Sequence, residues 1–422
     1  MQQNPNFLVI VSDQQRWDSL ACNGNVFTRT PNLDAMAARG ANFRLPFTPF
    51  PVCTPARASM WTGVYPNKHG ITYNRYGIDD VISYEGKIDT TLFELMQRAG
   101  YTTAYFGKWH LGEKNTGRFD IWKGFNSHGG HWEDGRQSFQ GGRFKPETQT
   151  DEMIRFLESS QAREKPFVAV QSYYPPHNPF TAPTGSYAPY RGKGVPFAGY
   201  YASVTALDGC VGRIREALLR TGLSGNTFVF YVSDHGETFD FAETAPHKWV
   251  CLDSSIRVPF LMEGPGVPHG IRPNDFVGLE DLMPTILSAA GIRPPGYIDG
   301  ANLLELVNGD APAWRDAYYT QAERRNARTL QRCIRTRDSK LILSWDELHE
   351  LYDLSTDPEE VLNLYGAPRT DKQDQYRHFE RQSERIVSLA GMMLRRASEL
   401  GDFAGVELAS RVLRQEDASS DR

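Results

Sequence analysis

Asp13 and Gln14 close one apolar run, NFLVIVSDQ, and Asp234 and His235 close another, NTFVFYVSDHG. Two carboxylates, an amide oxygen and an imidazole from two such ends can meet on one cation. That donor set suits Ca2+ or Mn2+, and the absence of paired thiolates argues against structural zinc. SDQ alone reads as a loop cap; its counterpart at a second run favours a metal. GKWHLG supplies Lys108 and His110, two positions apart and so on one face of an extended chain. YYPPHNPF holds His177 between prolines that fix φ, and HKWVCLDSSIRVPF supplies Lys248. Singly, each reads as a surface lysine or a bonded loop histidine. Together they describe a cationic pocket around a metal, suited to an anionic tetrahedral group. VCTPARASMWTG adds Cys53, Pro55 and Arg57 ahead of a helical pattern. With Cys53 or Thr54 as N-cap, residue 53 lies at the positive end of a helix dipole, a place for a nucleophile or an anion. A cysteine packed under a helix start explains that short motif equally well.

The elements that must carry these residues alternate in type. NFLVIVSD, YTTAYFG, PFVAVQSY, NTFVFYVSD and RVPFLMEG read as strands, and PNLDAMAARG, TLFELMQRAG, DEMIRFLESS and GLEDLMPTILSAAG as helices. This order predicts an α/β fold with a mainly parallel central sheet flanked by helices, whose ligands gather at the carboxyl ends of strands. After about residue 325 the texture changes. RCIRTRDSKLILSW and DELHELYDLSTDPEE read as hairpin strands and a turn, which predicts a catalytic domain over 1–325 and a small C-terminal α+β subdomain with a helical tail over 326–422.

With 422 residues, 40% of them hydrophobic, the chain can bury a large core. A net charge of −5 gives no general attraction for nucleic acid or an anionic membrane, so neither is an expected partner. The five cysteines, 22, 53, 210, 251 and 333, are scattered and odd in number, which speaks against a disulfide framework. No basic region precedes the first apolar run, and no run is long enough to span a bilayer; the expected location is cytoplasmic, a removed leader aside.

CTPARASMWTG resembles the sulfatase signature, in which the cysteine of Cys-x-Pro-x-Arg is converted to formylglycine. Asp13, GKWHLG, PPHNP, SDHGE, the spacing from Lys248 to SIRVP, and ELYDLSTDPEEVLNL are similar to the family's other blocks, in order, over residues 6 to about 364. The resemblance implies an alkaline-phosphatase-like fold and a sulfuric ester hydrolase that cleaves aryl, alkyl or carbohydrate sulfates. It further implies that a formylglycine-generating enzyme converts Cys53, that Arg57 steadies the product, and that Asp13, Gln14, Asp234, His235 and the residue 53 oxygen hold one divalent metal, Ca2+ before Mn2+. Lys108, His177 and Lys248 would bind sulfate oxygens, and His110 would take the proton from the second hydroxyl of the hydrated aldehyde.

Gln14 and His235 depart from the aspartate and asparagine of many sulfatases and resemble the pattern of choline sulfatases and phosphonate monoester hydrolases. One fewer carboxylate would favour a dianionic phosphoryl substrate, so the alternative is a phosphonate monoester or phosphodiester hydrolase using the same formylglycine. A third reading is a non-catalytic protein that keeps the thiol and binds sulfated ligands. For substrate recognition, the loop NSHGGHWEDGRQSFQGG offers His128, His131, Trp132 and Arg136, with the indole against a ring and the guanidinium on a carboxylate. A glycine-rich loop with incidental aromatics is the competing account. Phe379, Ile386, Leu389 and Met393 fall at helical spacing; such a stripe packs on its own domain or joins a homo-oligomer.

Overall fold

The computed structural model describes residues 4–127, 130–134, 142–239, 247–311, 313–324, 329–346, 348–365 and 382–420. Its strands are β1 (Asn6–Asp13), β2 (Ala41–Asn42), β3 (Leu45–Phe47), β4 (Thr102–Lys108), β5 (Ile121–Phe125), β6 (Phe167–Pro176), β7 (Thr227–Ser233), β8 (Phe260–Glu263), β9 (Phe276–Gly278), β10 (Tyr318–Arg324), β11 (Thr329–Arg335), β12 (Ser339–Ser344) and β13 (Glu350–Asp353). Seven of these form the central sheet in the order β2-β8-β7-β1-β6-β4-β5. β7, β1, β6, β4 and β5 pair in parallel, while at one edge β8 pairs antiparallel with both β7 and β2. The expected α/β class and mainly parallel sheet are what the chain adopts.

β1 sits in the middle and every one of its residues is buried. Its side chains alternate between two cores, as the strand period requires. Phe7, Val9 and Val11 pack with Trp61, Phe93 and Leu282 on one side; Leu8 and Ile10 pack with Met153, Tyr200 and Ile214 on the other. All five expected central strands form. The edge strand β5 was not expected, and neither was the helix Ala198–Arg220, which covers the second core.

The second sheet is antiparallel in the order β10-β11-β12-β13, backed by the helices Ser383–Leu400 and Phe403–Ser420. Ile386, Leu389 and Met393 are buried against Ile334, Leu341, Leu343 and Val412, so this stripe packs within its own subdomain; Phe379 lies outside the described residues. The sheet opens at Tyr318, on the N-terminal side of the expected division at 325. Tyr318 stacks on Phe47 of β3, and Gln321 donates its N–H to the Pro49 carbonyl at 2.9 Å. The second sheet thereby braces the segment that leads into Cys53.

Candidate active site

Because β1, β4, β6 and β7 are parallel, their carboxyl ends share one edge of the sheet, which brings Asp13, Lys108, His177 and Asp234 into one neighbourhood. Facing them is the start of the Cys53–Thr62 helix, all of whose residues are buried. Its N-cap is Val52, which offers no capping side chain, so Cys53 and Thr54 are helical residues and the cap expected of them is corrected. The side chains are engaged elsewhere. Thr54 donates its hydroxyl to the His110 carbonyl at 3.1 Å, and Asn74 Oδ1 accepts the Thr54 N–H at 3.1 Å, doing from outside what a cap does.

One turn along, Arg57 organises the floor. Its Nη2 donates to Asp13 Oδ2 at 3.0 Å, its Nε to Asp234 Oδ2 at 2.9 Å, and its Nη1 to the Lys108 carbonyl and Ser172 Oγ. Lys108 Nζ also reaches Asp13 Oδ2, at 2.6 Å. Gly107 makes this approach feasible: its φ is +100°, and a Cβ there would lie 1.8 Å from the Ser172 carbonyl oxygen. With Oδ2 of each aspartate tied down, Asp13 Oδ1 lies 3.8 Å from Cys53 Sγ and Asp234 Oδ1 lies 3.8 Å from His235 Nε2. His235 Nδ1 faces the Gly236 carbonyl at 2.9 Å, which can only accept; Nδ1 therefore carries a hydrogen, and Nε2 is the nitrogen that faces Sγ, at 3.1 Å. Lys248 Nζ stands among Gln14 Oε1 at 3.0 Å, His177 Nε2 at 3.2 Å and Cys53 Sγ at 3.3 Å.

Two carboxylates, Asp13 and Asp234, thus meet three cations, Arg57, Lys108 and Lys248. Burial pushes the Asp13 carboxyl up, but Lys108, His177 and Arg57 outweigh it and hold it well below the usual range. Burial and Asp13 likewise push the Cys53 thiol up, yet Lys108, Lys248 and His235 bring it below its ordinary value. A pocket that stabilises an anion on a buried sulfur is built for negative charge at that point.

His110 reaches the site by a different route from the one its spacing suggested. β4 ends at Lys108, and His110 adopts φ +57°, so a left-handed turn and not strand alternation aims it. Neither of its ring nitrogens has a hydrogen-bond partner, and burial together with Lys108 and Arg57 holds its pKa well below 6.5. It is a neutral base with free nitrogens. Gln14, Phe239 and Trp249 also have positive φ, so backbone strain collects here. Tyr174, unremarked in the sequence, orders three of the cationic or basic groups: Lys108 Nζ lies 4.5 Å above its ring, His177 stacks at 4.8 Å, and His131 meets it edge-on at 5.4 Å.

The expected recognition loop divides. His131 and Trp132 are buried; the indole packs on Phe144 and donates towards Thr181 Oγ1, so Trp132 offers no open face to a ring and that expectation is corrected. His128 and Arg136 lie outside the described residues. Exposed aromatic surface sits instead at Tyr76, half exposed, its ring 5.4 Å from that of His110. Trp249, next to Lys248, lies 5.7 Å from Tyr73.

The family described as Sulfatase matches residues 5–292, and N-sulphoglucosamine sulphohydrolase, C-terminal, matches residues 246–385. The chain belongs to the sulfatase family. It is 31% identical to an ulvan-active sulfatase of Formosa agariphila, over 86% of this chain and 78% of that one. It is also 31% identical to the N-acetylgalactosamine-6-sulfatase of Mus musculus, over 72% of this chain and 66% of that one. A solved structure from Bacteroides thetaiotaomicron, described in connection with metabolism of multiple glycosaminoglycans, superposes with a TM-score of 0.81 at 22% identity, covering 97% of this chain and all of that one. The fold is therefore alkaline-phosphatase-like, and this sulfatase is a sulfuric ester hydrolase. The family implies a divalent metal and formylglycine. Among the described residues, Asp13, Cys53, Asp234 and His235 form a buried cluster whose donor atoms lie within 4.8 Å of one another; two carboxylates and an imidazole fit such an ion, and the Cys53 sulfur marks the place where formylglycine would present oxygen. No helix among the described residues is long and apolar enough to cross a membrane.

Proposed function

We propose that this sulfatase hydrolyses carbohydrate sulfate monoesters with residue 53 as formylglycine and one divalent cation, Ca2+ in preference to Mn2+, held by Asp13, Gln14, Asp234, His235 and the residue 53 oxygen. The observation that carries this reading is the position of Cys53 Sγ, buried within 3.8 Å of Asp13 Oδ1, His235 Nε2 and Lys248 Nζ. Sγ stands in for the hydroxyl oxygens that formylglycine would carry. When present, the aldehyde hydrate supplies the nucleophilic oxygen and the cation polarises it and the ester.

The chain's own residues do the rest. Arg57 aims both aspartates. Lys108, Lys248 and His177 meet the sulfate oxygens. The Lys248 and His177 pair, 3.2 Å apart, provides the proton for the departing alcohol, and neutral His110 accepts one from residue 53 when sulfate is released. His131, buried beside Tyr174, supports His177 from behind. Tyr76, Tyr73 and Trp249 form an aromatic rim suited to the apolar face of a sugar ring, in keeping with the sugar sulfatase among the relatives. Residues 1–325 carry this chemistry, with 326–422 bracing it, and maturation needs a formylglycine-generating enzyme.

The test uses protein co-expressed with that enzyme. The tryptic peptide containing residue 53 should have the mass of the aldehyde or its hydrate, sulfated sugars should be turned over in preference to phosphonate monoesters, and chelation should stop turnover without unfolding. Full activity with an unmodified thiol, or undiminished activity after chelation, would sink the reading.

A further inference from the structure

Gln14 is the one proposed ligand whose identity as a donor depends on orientation, since its amide presents oxygen on one side and N–H on the other. The residue is wholly buried, follows β1 with φ +66°, and has its N–H fixed by Asp234 Oδ1 at 3.1 Å. Its side-chain nitrogen lies 2.5 Å from Oε2 of Glu237, also wholly buried. Glu237 is held in turn: its Oε1 accepts the Phe239 N–H at 2.7 Å and lies 3.3 Å from His247 Nδ1, and its carbonyl accepts Arg16 Nη1 at 2.9 Å. On the opposite side, Gln14 Oε1 accepts from Lys248 Nζ at 3.0 Å. A flipped amide would set its N–H2 against the Lys248 ammonium and its oxygen against the Glu237 carboxylate, losing both contacts at once.

We infer that Glu237 is a positioning residue that locks the Gln14 amide with its oxygen towards the metal and returns to the site the negative charge that Gln14 lacks. This rests on the metal site proposed above. A carboxylate would hold the cation at position 14 directly; here the amide oxygen would do so while the carboxylate stands behind it, in contact through one N–H. The summed charge matches that of a site with an acid at position 14. The charge shortfall expected from the sequence, and with it the case for a dianionic phosphoryl substrate, is thus made up one residue further out.

The experiment titrates chelator-stripped protein with Ca2+, and separately with Mn2+, by calorimetry, alongside thermal melts. Glu237→Gln keeps the shape but leaves the Gln14 amide free to flip, so affinity should fall on the order of 10- to 100-fold while the melting temperature of the metal-free protein barely moves. The swap Gln14→Glu with Glu237→Gln reverses the donor and acceptor across the same contact and keeps the total charge, so affinity should return at least to that of the parent. An unchanged affinity in Glu237→Gln, or a swap that binds no better than the single variant, overturns the role of Glu237. Should Glu237→Gln fail to fold, a folded swap that binds as the parent still supports the role, and one that does not overturns it. No binding of either ion by the parent overturns the metal site, and this inference with it.

Discussion

Two buried ion networks can be set side by side in this molecule. In the C-terminal subdomain, Asp402 accepts from Arg332 Nε at 2.5 Å, Tyr319 Oη at 2.6 Å and Gln321 Nε2 at 2.7 Å through one oxygen, and from Arg332 Nη2 at 3.2 Å through the other. At the sheet edge, Asp13 and Asp234 each tie one oxygen to Arg57; the other oxygen of Asp13 faces Cys53 and His177, and that of Asp234 accepts the backbone N–H groups of Gln14 and His235. Both Asp402 and Asp13 have carboxyls held below the usual range, where burial is outweighed by a neighbouring cation. A perturbed acid therefore does not separate structure from chemistry here. What does is closure: around Asp402 every donor meets its acceptor, whereas the other network keeps a buried imidazole, His110, with no hydrogen-bond partner on either ring nitrogen.

The contrast breaks most visibly at residue 53. In Cys53→Ser the serine oxygen should attack sulfur and the ester oxygen should leave with a proton, but no second hydroxyl remains to expel the sulfate. About one equivalent of alcohol per site, with a sulfated enzyme in the intact mass, is the expected result; continued turnover would remove the two-hydroxyl role of residue 53. Next in size is Asp402→Ala, which strands a buried guanidinium, a phenol and an amide. Denaturant unfolding should record a loss of about 3–5 kcal/mol, with activity per folded molecule unchanged. A drop in kcat/KM at full folding would mean that the closed network is not merely structural. Lys248→Ala reverses that pattern: kcat/KM should fall on the order of 100-fold, while the melting temperature shifts little. The smallest effect belongs to the exposed pair of Lys114 with Asp79, where Lys114→Ala should leave both melting temperature and rate unchanged.

The sequence by itself determined the class of fold and the strand ends at which Asp13, Lys108, His177 and Asp234 come together. Parallel strands buried on both faces must be written as unbroken apolar runs, and the chemistry must then sit where those runs stop; NFLVIVSD and NTFVFYVSD announce both facts in eight or nine letters. Some of what went unread was present in the letters. Tyr200, Val204, Leu207, Val211, Ile214 and Leu218 follow a regular helical period in the Ala198–Arg220 helix, masked by glycines and aromatics that suggest loop or strand. Other features were decided only in three dimensions. The left-handed turn at His110 depends on the helix start whose Thr54 hydroxyl bonds its carbonyl, from a segment more than fifty residues away. Trp132 had the composition of a recognition residue and was drawn inward by Phe144. Glu237 was in plain view in SDHGE, but a carboxylate three residues past Asp234 has no visible purpose until β1 and β7 pair and bring it against Gln14. Residue type and spacing travel along the chain; the orientation of an amide is set by whatever lies on either side of it, and that is known only once distant segments have met.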